Sequence, residues 1–305
     1  MSYSQARNDR ERILRGTEDA FQARLDKHKR GISREVSAYL TGVLKVDDEG
    51  RVVFTLQNNR AVRRGIPTVF QRFFNTDGIP LLRWLYKKLR NIFFAGARAF
   101  RTMTQVQQTT EQRALRVLMD QIGFSATRDT LIRGGYLERV FRMEDVAEQV
   151  ARDIIQLLPT KPTLKKLRDT LEKRFMSGTG SGYLQRHFDR FTRDLLFQFD
   201  AATQQVMARD LGLTYFEYSG TLIRTSRCFC ERRVNRVYTT AHAEKWNDKQ
   251  WRGKIEGGDF FVNRGGYNCR HAISYITEAQ ARRILQGRGI KINTYNNAGC
   301  NERRE

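Results

Sequence analysis

Gly212 separates two kinds of sequence. Before it, apolar residues recur at the three- and four-residue spacing of helices. After it come short β-forming runs broken by Gly, Asn and Ser. This change of period predicts an α+β fold that is predominantly helical. A long-helix N-terminal region with one short β-hairpin is followed by a small α+β C-terminal domain.

Residues 8–42 are rich in helix formers and contain no Pro. LKVDDEGRVVFTL (44–56) reads as the hairpin, with Asp48, Glu49 and Gly50 at its turn. Helices are expected over 60–75, 79–104, 109–122, 126–141, 143–158 and 162–176. Pro159 and Pro162 punctuate the last two, with Thr160 or Lys161 as the cap. MSGTGSG (176–182) reads as a flexible break. The helix that follows, 183–212, ends at Gly212 as a C-cap. Beyond it, 214–220 and 222–227 read as paired strands, and 237–239 and 272–277 as further strands. TAHAEKWNDKQW is helix-like, and a capping box at Thr277 and Gln280 opens a helix over 277–287. The expected organisation is a helical region over 1–178, a connecting helix over 179–212, an α+β domain over 213–290 and a polar tail over 291–305.

Charge bears on partners. The 305 residues carry 55 Lys+Arg against 33 Asp+Glu, a net charge of +22. The excess is blocked: residues 51–100 hold 10 Lys+Arg and the single acid Asp77, while 101–150 are balanced at seven against seven. Such a block attracts polyanions. Within it Leu81, Leu82, Leu85, Leu89, Ile92 and Phe93 form one apolar helical stripe. The residues expected to meet double-stranded DNA, without sequence preference, are Arg60, Arg63, Arg64, Arg72, Arg83, Lys87, Lys88 and Arg90. The alternatives are a solvated cationic surface or an acidic protein partner. Mean hydropathy of −0.61 and 29% charged residues indicate a soluble chain. The most apolar run, IPLLRWLYKKLRNIFFAGARAF, is broken by five cations, so no membrane segment is expected. MSYSQARNDRERILRG lacks the apolar core of a signal peptide.

Four cysteines are too few for a disulfide framework. Their spacing is more telling. Cys228-x-Cys230 is followed, after 38 intervening residues, by Cys269-x-His271. Three thiols and one imidazole match a tetrahedral structural zinc site in type and number. Both pairs are expected at strand or turn edges, where i and i+2 point the same way. The reading is therefore a metal site of Cys228, Cys230, Cys269 and His271. Zinc sites usually use wider spacings, so two alternatives stay open: Cys230 packed on or disulfide-linked to Cys269, and a polar core without an ion. His242 is an alternative ligand. His28 and His187 read as ordinary helix residues, and Cys300 as a free thiol in the tail.

No catalytic residue is assigned. H-E-x-x-H, G-x-S-x-G and P-loop patterns are absent, and no Asn or Asp is marked as orienting His271 beside Cys269.

The C-terminal residues resemble a family. The long helix is followed by Phe216, Tyr218 and Gly220 in the order f.Y.G, then by Thr225, Arg227 and Cys230 in the order T.R..C. Gly265, Gly266, Tyr267, Cys269, Arg270 and His271 form a closing element. In this pattern the chain resembles the Mu F-like minor head proteins of tailed bacteriophages, also called head morphogenesis proteins. The likeness covers roughly residues 180–280. It implies a structural role in the virion, inside the capsid at the portal vertex, with the host cytoplasm as the site of assembly. Implied partners are the portal protein, the major capsid protein and genomic DNA. Implied roles are head assembly, packaging or DNA ejection. The alternatives are a zinc-stabilised nucleic-acid-binding factor acting outside particles and a nucleic-acid-processing enzyme.

Overall fold

The computed structural model describes residues 2–103, 106–125, 127, 130–176 and 182–296. Helices are α1 (Tyr3–Val43), α2 (Leu56–Phe73), α3 (Ile79–Arg101), α4 (Gln108–Ile122), α5 (Tyr136–Arg142), α6 (Glu144–Leu157), α7 (Leu164–Met176) and α8 (Tyr183–Asp210). A two-residue pair, β1 (Phe124–Ser125) and β2 (Thr130–Leu131), lies between α4 and α5. After α8 come β3 (Tyr215–Ser219), α9 (Cys228–Arg233), β4 (Arg236–Thr239), α10 (Thr240–Glu244), α11 (Phe260–Asn263), β5 (Ala272–Ile276) and α12 (Glu278–Arg288). The fold is the predominantly helical α+β class expected. Among the described residues no helix is long and apolar enough to cross a membrane.

The chain forms two compact units, each discontinuous in sequence. A helical unit comprises Thr17–Lys88 and Met119–Thr192; a mixed unit comprises Met1–Gly16, Leu89–Leu118 and Arg193–Glu305.

In the helical unit, Phe21, Leu25, Ile32, Val36 and Leu40 of α1 and Val62, Ile66, Val69, Phe70 and Phe73 of α2 are buried. Both sets recur at helical spacing, which is why one face of each helix is lost to solvent. Thr55 caps α2 by accepting from the Asn58 amide at 3.1 Å. Asn58 is itself buried and uses its carboxamide on the Lys45 amide and on the Lys45 and Val53 carbonyls. These bonds hold the 44–56 segment, where the expected hairpin is reduced to one antiparallel bridge between Val46 and Val52.

Two helical expectations are corrected here. The helix expected over 126–141 starts only at Tyr136. Gly135 approaches Gly123 so closely that a Cβ on it would lie 3.0 Å from the Gly123 Cα. Gly134 has a φ of 72°, so this glycine pair turns the chain instead of continuing a helix. The cap of α7 is Thr163, whose Oγ1 accepts from the Lys166 amide at 3.2 Å. Thr160 is otherwise engaged, donating to the Leu157 carbonyl at 2.7 Å. The expected break at 176–182 falls almost wholly outside the described residues, as does the tail beyond 296 with Cys300.

In the mixed unit, β3 is central in an antiparallel sheet of order β4-β3-β5. Phe216 lies opposite Tyr238 and Tyr275, and Glu217 opposite Val237 and Ser274. Alternation sends Phe216 and Tyr218 to one face and Tyr215, Glu217 and Ser219 to the other. On the first face Phe216 meets the rings of Trp246, Phe260 and Phe261. On the second, Val237 and Ile276 pack with Ala281 of α12, against Tyr3 and Leu285. The strand expected over 222–227 is absent. Both edges of β3 are taken by β4 and β5, leaving 221–225 as an exposed loop after Gly220. The helix at 277–287 and its Thr277–Gln280 capping box are present as expected.

Candidate metal centre and basic groove

The site lies on the Phe216–Tyr218 face of the sheet. Cys230 enters from α9. Cys269 and His271 arrive from the turn before β5, where Arg264, Gly266 and Asn268 all have positive φ. That left-handed run curls the chain so that the Gly265 amide donates to Cys269 Sγ at 3.3 Å. Gly265 is also the close approach that makes the site possible. A Cβ there would stand 2.4 Å from Cys230 Sγ and 3.1 Å from Cys269 Sγ.

The result is a buried group of Cys230, Cys269 and His271 whose donor atoms all lie within 4.8 Å of one another. Cys269 Sγ is 3.5 Å from His271 Nδ1. The Tyr218 hydroxyl sits against both sulfurs, 3.4 Å from Cys230 and 3.5 Å from Cys269. Among the described residues His271 Nε2 is buried without a hydrogen-bond partner, and the imidazole meets the group through Nδ1. Arg264, also buried, donates to the His271 carbonyl at 3.2 Å.

The two thiols are inequivalent. The hydrogen bond from Cys230, the contact with His271 and the Arg264 charge hold the Cys269 thiol well below its ordinary range, against the effect of burial. Cys230 moves the opposite way, because it is the donor to Cys269 and is buried. Burial pushes the Tyr218 phenol up, and the two thiols add to that. Two soft sulfur donors and an imidazole, all buried, can hold a metal ion, and they are the donor types zinc takes.

Cys228 is not in this group. Cys230 and Cys269 are free thiols. The expectation that Cys228 and Cys230 point together fails for a local reason. They lie on the six-residue helix α9, where positions i and i+2 are about 200° apart around the axis. His242 is elsewhere too, with its Nε2 2.9 Å from the Tyr295 hydroxyl. Tyr218 and Gly265, by contrast, belong to the site without being ligand types counted in the Cys/His set. The signal for both was the spaced pattern that carries the family resemblance.

The cationic residues stand as follows. Arg60, Arg64 and Arg72 line a groove of about 490 Å³ on α2, together with Tyr39, Gln57 and Thr68. Their four- and eight-residue separations place them on one helix face. Arg72 is partly engaged, 3.0 Å from Glu35. Arg63 is exposed on α2, and Arg83 and Lys87 are exposed one turn apart on α3. Lys88 lies 5.7 Å from the Trp84 ring centroid and Arg90 5.9 Å from that of Phe94, so both partly cover aromatic surface. The apolar stripe from Leu81 to Phe93 is buried as expected.

No family model, curated protein or solved structure matches this chain.

Proposed function

We propose that the chain is a structural minor head protein of the Mu F-like kind, built to contact DNA inside a tailed-phage capsid near the portal. One observation carries this reading. Residues of the three motif elements that define the resemblance meet at one point in space. Tyr218, Cys230, Gly265, Cys269 and His271 surround the same pocket, and a Cβ on Gly220 would lie 2.7 Å from the His271 ring. A spaced pattern that converges in this way supports a shared module over chance matches.

The metal, on this reading, is zinc, and its role is structural. All three donor residues are buried, and no carboxylate belongs to the donor group among the described residues. The protein is accordingly read as non-catalytic. The exposed cations of α2 and α3 supply non-specific phosphate contacts, the kind of binding that needs charge and no base readout. The portal and major capsid proteins are the expected protein partners.

The test is a particle reconstruction made without full icosahedral averaging, together with mass spectrometry of purified particles. The expected result is this chain at a few copies beside the portal. Its absence from purified particles, with the chain recovered free in infected cytoplasm, overturns the virion assignment in favour of a soluble nucleic-acid-binding factor.

A further inference from the structure

Three side chains converge in the Cys230–Cys269–His271 pocket, but a tetrahedral centre takes four donors. The fourth position has an evident neighbour. The Tyr218 side chain is fully buried, and the two sulfurs are the hydrogen-bonding partners of its hydroxyl among the described residues.

The distances are informative. Bonds of about 2.3 Å to sulfur and about 2.0 Å to nitrogen or oxygen, arranged tetrahedrally, put neighbouring donors about 3.5 Å apart. Tyr218 Oη lies 3.4 Å from Cys230 Sγ and 3.5 Å from Cys269 Sγ, and Cys269 Sγ lies 3.5 Å from His271 Nδ1. Three edges of the donor polyhedron therefore already have the length that a bound ion would impose. The remaining separations among the two sulfurs and the imidazole are within 4.8 Å.

We infer that the Tyr218 phenolic oxygen is the fourth ligand, making a closed centre of two cysteines, one histidine and one tyrosine. The inference rests on the metal reading of the pocket and adds one donor to it. Register explains the placement. Tyr218 is in the central strand, two residues after Phe216, so the sheet aims its ring at the pocket that α9 and the 264–271 turn close from the other side. Charge is consistent with the assignment. Two thiolates and a phenolate around a divalent ion leave one net negative charge, and the buried Arg264 guanidinium is bonded to the His271 carbonyl beside them. On binding, the phenol and any protonated thiol release their protons to solvent, and the oxygen and sulfur lone pairs form the bonds to the ion.

The experiment titrates zinc into the metal-free, full-length chain at neutral pH and follows the near-ultraviolet tyrosinate absorption. Affinity alone does not decide, because losing an outer hydrogen-bond partner also weakens binding by about 10–100-fold. The tyrosinate band does decide. It is expected to grow to one equivalent of zinc in the wild type and to be missing in Tyr218→Phe. If Tyr218→Phe fails to fold, the wild-type band alone carries the result. One zinc bound with no tyrosinate band makes Tyr218 a hydrogen-bonding neighbour of the thiolates; that outcome overturns the inference and leaves the three-residue metal site standing. No zinc bound by the wild type overturns both.

Discussion

Arg7 Nη1 meets the Glu217 carboxylate at 2.8 Å across 210 residues of chain. Glu217 sits in the central strand and is only 4% exposed. Its other oxygen accepts from Arg288 Nη1 at 2.7 Å, and Arg7 Nη2 also donates to Ser219 Oγ at 2.6 Å. One buried acid thus joins α1, the sheet and α12 within the mixed unit.

Removing that acid leaves two guanidiniums without the carboxylate they share. Breaking a buried pair typically costs about 3–5 kcal/mol. Arg7 and Arg288 keep part of their solvent contact, at 23% and 45% side-chain exposure. The lower end therefore applies, and Glu217→Gln should cost about 3 kcal/mol. Urea unfolding measures it, and a loss below about 1 kcal/mol would mean the arginines re-solvate freely.

The cysteines should separate into two classes. Cys230→Ser and Cys269→Ser should each abolish stoichiometric zinc, while Cys228→Ser should retain about one zinc per chain. Chelator should lower the melting temperature of the wild type and of Cys228→Ser alike. Elemental analysis checks the first statement and calorimetry the second; zinc lost in Cys228→Ser would restore the four-residue set read from spacing.

His187 gives a pH dependence whose sign can be worked out. Burial lowers its pKa from the ordinary 6.5, although its Nε2 hydrogen-bonds to the Val140 carbonyl. The folded state therefore binds this proton less readily than the unfolded state does. Its stability falls as pH drops below 6.5 and levels off below the folded pKa. His187→Gln, which can still donate to Val140, should flatten stability between those limits. An unchanged slope in that window assigns the effect to other groups.

The α2 groove should set the salt dependence of DNA binding. Each phosphate contact contributes about 0.9 to the slope of log affinity against log salt. Arg60, Arg64 and Arg72 together could contribute about 2.7. Arg72 is already paired with Glu35, so the triple change to Gln should lower the slope by about 2. Random duplexes should bind equally. An unchanged slope with weakened binding to a portal protein would make the groove a protein interface.

How much of this was legible in sequence depends on how local the cause is. The Leu81–Phe93 stripe and the Thr277–Gln280 box depend on neighbours a few residues away, and both were readable. The failure at 126–141 came from Gly123 meeting Gly135, an approach that helical periodicity does not register. The failure at 222–227 was topological: β4 and β5 compete for the edges of β3, and strand propensity says nothing of who wins. The Cys/His pocket was half readable. Cys269 and His271 share a turn, so their spacing meant what it usually means. Cys228 and Cys230 share a helix, where the same spacing means divergence. Tyr218 enters through strand register, which no count of ligand-type residues would reveal.

The mixed unit is assembled from three stretches of chain, and this bears on how the protein is made. Residues 1–16 leave the ribosome long before Glu217 and Arg288, the groups that anchor the Arg7 end of the sheet, have been synthesised. The N-terminal end of α1 must therefore wait, with buried Arg10 lacking its partner Asp200. Contacts of such long sequence separation form late and slowly, and the waiting surface is a place for a nascent chain to associate wrongly. A chain released before residue 193 would present that unfinished surface permanently, so truncated products should be bound by chaperones or degraded instead of accumulating as a free helical fragment.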